Sequence, residues 1–156
     1  MTSRRIVRAA SVTPGAVPPD VVWAFRDRRH RVGDHRLWQG TASKGTTPVL
    51  YVDDHWYSAR QVAWALHHGT EPVGHIMAGC RVRLCVHGPH LTDDVIRQRE
   101  RVLYAALHGV TLAGPCHAGT HELAAYGYVR SNGLTECRGC DNARRRTKPL
   151  EGARTA

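Results

Sequence analysis

Cys80, Cys85 and His90 fall at intervals of five within one short stretch, separated by polar residues and a Gly-Pro turn. Thiolate and imidazole are the ligand types that suit zinc. A loop carrying them can wrap one ion and be held rigid with little apolar material around it. That constraint matters because the apolar content of 42% includes only one Phe and two Met. Such a core is modest for 156 residues, and metal staples are the natural supplement. The bland alternative is a reduced surface loop with incidental cysteines.

A second cluster follows the same logic. Cys137 and Cys140 form a Cys-x-x-Cys knuckle, and Cys116 and His121 stand on an earlier limb, with His117 competing for the place of His121. Two ligands from each of two limbs, with Asn132-Gly133 as a turn between them, is the pattern of a zinc ribbon or finger. A redox dithiol at Cys137 and Cys140 is the competing reading, but the βαβ setting it needs is missing. The two clusters use all five cysteines. An odd cysteine count with no signal-peptide pattern points to a cytoplasmic, reduced protein whose cysteines bind metal. No apolar run approaches a membrane span, so no membrane partner is expected.

Lys and Arg total 22 against 13 acidic residues, a net charge of +9, and nearly all the basic residues are Arg. The planar guanidinium fork matches phosphate, so a polyanion is the expected partner, DNA or RNA being the commonest. The alternative is that some arginines only solubilise a composition rich in Arg, Ala, Gly and Val.

Taken in order, residues 1–31 read as a basic arm, with Arg4, Arg5 and Arg8, then a short helix over 21–28 anchored by Val22, Trp23 and Phe25. The end of that helix is strongly basic, from Arg26 to Arg31. Leu37 and Trp38 suggest a short strand, 40–45 a loop, and 47–52 with 55–57 a hairpin turning at Asp53-Asp54. Ser58 caps a helix over 59–68 that places Val62, Ala63 and Leu66 on one face and stops at Gly69. Residues 75–78 lead as a strand into Cys80. A helix over 95–107 puts Val95, Val102, Leu103, Ala106 and Leu107 on one face, and 110–115 links it to the finger. The expected domains are 32–109 for the core, 110–148 for the finger with its basic tail, and 149–156 as a disordered tail.

Residues from about His35 to Cys140 resemble the HNH and His-Cys box endonucleases, the ββα-metal group, in the actinobacterial or phage type with a terminal zinc finger. The resemblance rests on His35-Arg36-Leu37-Trp38-Gln39-Gly40, on Leu66 to Gly74 with Pro72 and Gly74 in place, on Cys80, Cys85, Val86, His90 and Leu91, and on the finger. It implies an α+β fold: a small zinc-stapled ββα-metal domain with a C-terminal zinc ribbon or finger. It also implies that His35, standing where the family has a cysteine, completes the first site. The expectation is two structural zinc ions, held by His35, Cys80, Cys85 and His90 and by Cys116, His121, Cys137 and Cys140.

The same resemblance places the family's general base at Ala78 and its catalytic metal ligand at Arg99. A methyl group takes no proton from water, and a guanidinium repels a divalent cation. The expected function is therefore a zinc-containing protein on a nuclease scaffold that binds double-stranded DNA with little or no cleavage. The hairpin of residues 49–57 is expected in a DNA groove. Arg60, Arg81, Arg83, Arg97, Arg99 and Arg101 are expected to hold phosphates along the former cleavage groove. Arg138, Arg144, Arg145 and Arg146 would extend the footprint, and Arg4 and Arg5 would reach a neighbouring groove. The alternative is an active metal-dependent endonuclease, or a form engineered to be inactive at residue 78; Mg or Mn enters only there. A protein-binding module with purely structural metal is a third reading. Nucleoid association and a homodimer are compatible with the first.

Overall fold

The structure is a computed structural model that describes residues 8–147. Arg4, Arg5 and the expected tail, 149–156, lie outside the described residues. The protein is α+β and divides into two compact units, Met1–Asp94 and Val95–Ala156. The division falls after Asp94, the first residue of the longest helix, whereas the sequence predicts a boundary between core and finger after that helix.

In the first unit, β1 (Arg8–Ala9) precedes α1 (Pro19–Asp27). Pro19 occupies the first helical turn, where its missing N–H leaves nothing unpaired. Val21 and Phe25, four residues apart, are buried, while Trp23 is 71% exposed. Of the expected anchors Phe25 is buried, Val22 is half-buried and Trp23 is incorrect: one inward stripe at i and i+4 suffices for so short a helix.

β2 (Arg29–Val32) and β3 (His35–Trp38) form an antiparallel hairpin across Gly33-Asp34, pairing Val32 with His35. The sequence reading ends a helix here, because Arg-His-Arg-Val has weak strand preference. Pairing with β3 recruits it. The other edge of β3 is bonded to the metal loop: Trp38 N–H donates to the Leu84 carbonyl (2.9 Å) and Val86 N–H to the Arg36 carbonyl (2.8 Å).

β4 (Ala42–Ser43), β5 (Thr47–Val52) and β6 (His55–Ser58) build a sheet of order β1-β6-β5-β4, with β1 parallel and the others antiparallel. The register pairs Val52 with His55, so Asp53 and Asp54 alone make the turn, at φ +43° and +63°. Two residues in the left-handed region match the twist of the flanking strands. α2 (Ala59–His68) continues from β6 and ends at Gly69, φ +63°. Val62 and Ala63 are buried as expected, together with Trp64 and Ala65, but Leu66 is 42% exposed. Both helices pack on β5, where Val49 and Leu50 are buried.

β7 (Met77–Ala78) pairs with β8 (Leu91–Thr92), and the metal loop bulges between them. That loop ends in a 3-10 turn, Gly88–His90, packed against α2. A Cβ on Gly88 would lie 2.3 Å from the His67 Cβ, so only glycine allows this approach. Asp93 is buried and its carboxylate accepts the Val73 N–H at 3.0 Å.

The second unit contains α3 (Asp94–Leu107), a short α4 (Leu123–Tyr126), the antiparallel pair β9 (Gly127–Val129) and β10 (Thr135–Cys137), and α5 (Arg138–Thr147). The hairpin turns at Asn132-Gly133 as expected, with Gly133 at φ +81° and the Asn132 Oδ1 accepting the Leu134 N–H. The expected apolar face of α3 is not buried: Leu103 is 61% and Leu107 77% exposed, and Ala105 is the helix residue that is enclosed. Instead, the Gln98 side-chain amide ties α3 to the finger by donating to the carbonyls of Ala124 (3.1 Å) and Gly127 (3.0 Å). Cys140 lies in the first turn of α5, so this unit is a knuckle, a hairpin and a helix rather than an all-β ribbon. Among the described residues no helix is long and apolar enough to cross a membrane.

Candidate metal centres

Each unit gathers one set of four potential ligands. In the first, His35 comes from β3, Cys80 and Cys85 from the loop after β7, and His90 from the 3-10 turn, and their ligand atoms all lie within 4.8 Å of one another. The His35 and His90 Nδ1 atoms are 3.1 Å apart, and the Cys85 Sγ is 3.8 Å and 3.7 Å from them. Bonds of about 2.0 Å to imidazole and 2.3 Å to thiolate set tetrahedral edges of about 3.3–3.8 Å. The two sulfur–nitrogen separations fit that frame, and the imidazole pair sits just inside it. Cys85 is fully buried. Burial, aided by the neighbouring Cys80, pushes its thiol pKa up, against hydrogen bonds from the backbone of His87 and Arg36. A bound cation removes that penalty by neutralising the thiolate.

Arg60 stands beside this set. Burial lowers its pKa, and the charges of Cys85 and Cys80 act in the opposite direction. One arm donates to the Arg83 carbonyl, and its Nε is buried without a hydrogen-bond partner. Its head group is thus committed to bracing the metal loop. Arg81 and Arg83 are exposed on the loop, and Arg81 takes φ +61°.

In the second unit, Cys116, His121, Cys137 and Cys140 likewise bring four ligand atoms within 4.8 Å of one another. The Cys140 Sγ lies 3.6 Å from the Cys116 Sγ and 3.5 Å from the His121 Nδ1, again tetrahedral edges. His117 is exposed and outside the set, which decides between the two histidines. Burial acts to raise the Cys116 thiol, but backbone hydrogen bonds from His121 and Thr120 and side-chain bonds to the same residues outweigh it and bring its pKa to about 5. The Cys140 thiol moves upward, chiefly through its hydrogen bond with Cys116. The Cys116 thiol is therefore the readier to ionise, and a bound ion would displace the proton of Cys140. The Thr120 hydroxyl, 2.9 Å from the His121 Nδ1 and 3.8 Å from the Cys116 Sγ, buttresses the set. Gly139 belongs to it as well, since a Cβ there would lie 2.5 Å from the His121 ring. Neither Thr120 nor Gly139 carries a spacing signal in the sequence.

The structure therefore presents two His/Cys tetrads compatible with two metal ions. Ala78 is half-buried on β7 opposite Leu91, and Arg99 is exposed on α3. Arg97 and Arg101 share that helix, and the Arg101 guanidinium donates to the Gln98 side chain at 3.2 Å. On α5, Arg144 pairs with Asp141, Arg138 is half-buried, and Arg145 and Arg146 are exposed. Sequence reasoning passed over Arg36, which lines the same cavity as Arg26 and Arg29. The signal available for it was the basic run from Arg26 to Arg36. No family model, curated protein or solved structure matches the chain.

Proposed function

We propose that the protein is a zinc-stapled DNA-binding protein on an HNH-type ββα scaffold that has lost cleavage. Zinc is the ion suited to both tetrads, because sulfur and imidazole in four-coordinate closed sets are its structural environment. His35, Cys80, Cys85 and His90 would hold one ion, and Cys116, His121, Cys137 and Cys140 the other. Each ion would supply cross-linking and no reaction chemistry, since four protein ligands leave no open position.

The observation that carries the reading is the pairing of these closed sets with a +9 chain whose scaffold positions for base and catalytic ion hold Ala78 and Arg99. The strand pair β7–β8 followed in the chain by α3 agrees with that scaffold. One earlier expectation changes. The β5–β6 tip carries Asp53 and Asp54, both exposed, and adjacent carboxylates repel backbone phosphate. Arginine-bearing surfaces, not the hairpin tip, then carry the contact: Arg81 and Arg83 on the metal loop, Arg97 and Arg99 on α3, and Arg145 and Arg146 on α5.

The test is a gel shift with duplex DNA beside a plasmid incubation in Mg²⁺ or Mn²⁺, using the protein and its Ala78→His variant. Binding that weakens steeply with salt, without cuts from either protein, is expected. Cleavage by the unaltered chain would establish the endonuclease alternative, and absence of binding at low salt would leave the protein-binding module.

A further inference from the structure

The face of the β2–β3 hairpin turned away from His35 carries an unusual concentration of like charge. The register sets Arg31 directly opposite Arg36 and Arg29 opposite Trp38, so the three guanidinium-bearing residues share one face. Arg26 comes from the last turn of α1, next to Phe25 in the chain. Arg26, Arg29 and Arg36 line one cavity of about 430 Å³, together with His67, His87 and the buried Phe25. An adjoining cavity of about 400 Å³ shares Arg36 and His87 and adds Arg31 and Asp34.

Like charges facing each other across a strand pair destabilise it. Here no carboxylate ion pair among the described residues of the first unit offsets that cost. Among the described residues, none of Arg26, Arg29 and Arg36 forms an ion pair with a carboxylate, and Asp34, in the adjoining cavity, is the one acidic side chain lining either space. Burial, then the charges of Arg36 and Arg26, hold the Arg29 pKa below its ordinary value. The face of Phe25 supplies part of the compensation, with the Arg29 guanidinium 4.9 Å from its ring centre. His87 adds a buried Nδ1 that has no hydrogen-bond partner. Convergent forks without a counter-charge, and a buried polar atom without a partner, describe a site whose anion arrives from outside.

We propose that this cavity seats one internal backbone phosphate of DNA, held by Arg26, Arg29 and Arg36. The assignment to a DNA strand rests on the function proposed above; the anion site itself rests on the cluster. The seat lies in the first unit alone and is distinct from the arginines of the metal loop, α3 and α5.

The test compares the metal-loaded protein with Arg29→Gln/Arg36→Gln and with Arg26→Gln/Arg29→Gln. The second pair avoids the neighbour of the ligand His35. Both variants are checked for two metal equivalents and an unchanged circular dichroism spectrum. Affinity for a blunt duplex without terminal phosphates, and for the same duplex with 5′-phosphates, is followed by fluorescence anisotropy across a salt series. Both variants are expected to bind either duplex about tenfold more weakly, with the log–log salt slope smaller by about one, as for loss of one phosphate contact. Unchanged affinity and slope in the folded variants overturns the seat while the DNA reading stands. An effect confined to the 5′-phosphorylated duplex overturns the internal-phosphate assignment. A wild-type protein that binds neither duplex overturns the DNA reading, and this assignment falls with it.

Discussion

The two units solve the same problem with different means. The first buries Val21, Phe25, Trp38, Leu50, Val62, Trp64 and Leu91, an apolar core assembled from two helices and strands of three sheets, and Cys85 of its His/Cys set is buried with them. In the second, the buried apolar residues among those described are Ala105, Leu112, Cys116 and Cys137, and two of these belong to its His/Cys set. In the first unit a metal ion would reinforce a core; in the second it would stand in for one. A set of four ligands therefore has no fixed structural weight. Its weight depends on what else the surrounding chain can bury.

Chelation is the most severe test of that contrast. Removing the metal is expected to unfold the second unit, since structural zinc contributes about 10–16 kcal/mol in small metal-dependent folds. The amides of β9 and β10 should then exchange freely while those of β5, β6 and α2 stay protected. Simultaneous loss of protection in both units would break the comparison. Single ligand changes divide the effect. Cys140→Ser and Cys80→Ser should each lower the metal content by one equivalent of two, but only Cys140→Ser should abolish the proteolytic resistance of its own unit.

The converse variant is Leu50→Ala. It should lower the stability of the first unit by about 2–5 kcal/mol, the range for a buried leucine, and leave the metal content and protection of the second unit unchanged. A subtler probe is Gly139→Ala, whose new methyl group presses on the His121 ring. Displacing a ligand through its neighbour should weaken metal binding at that site by about 10–100-fold, read by competition with a chromogenic chelator, with the first site unaffected. The smallest expected effect concerns Tyr128, whose single hydroxyl proton is shared between the carboxylates of Glu136 (2.6 Å) and Asp141 (2.8 Å). Those bonds, Glu136 first, push its pKa up to about 12. A raised folded-state value means that its contribution is complete below the ordinary tyrosine range near 10 and is lost as the pH rises through about 12. Absorbance of phenolate should show one tyrosine titrating after the rest, and Tyr128→Phe should remove that late step.

Much of this arrangement was legible because ligand chemistry tolerates few residue types. Cys80, Cys85 and His90, and the set around Cys137 and Cys140, stood out by spacing alone. His35 did not: a lone histidine on a short strand has no periodic signature, and only the family resemblance singled it out. The β5–β6 hairpin and α2 were readable from alternation, a two-residue turn and a terminal glycine. Where the reading failed, local preference met a tertiary contact. β2 is a strand because β3 offers it a partner, not because Arg-His-Arg-Val favours one. α3 was read as an inward-facing amphipathic helix, but Ala105 and the amide of Gln98 do the anchoring, and its larger apolar side chains remain outside. The arginines around the β2–β3 hairpin were visible as composition, yet their convergence depends on a register that only the fold supplies.

The separation of the ligands along the chain has a consequence for how the molecule is made. His35 and Cys85 are 50 residues apart, whereas Cys116 and Cys140 are 24 apart. During synthesis, nothing upstream can clamp His35 until His90 has left the ribosome, so the first unit waits half-built while its sheet and helices form. The second needs only a brief local loop to close once Cys140 emerges. Supply of metal to the nascent chain thus governs the later-made half most directly, and starvation should yield molecules complete at the front and unravelled behind.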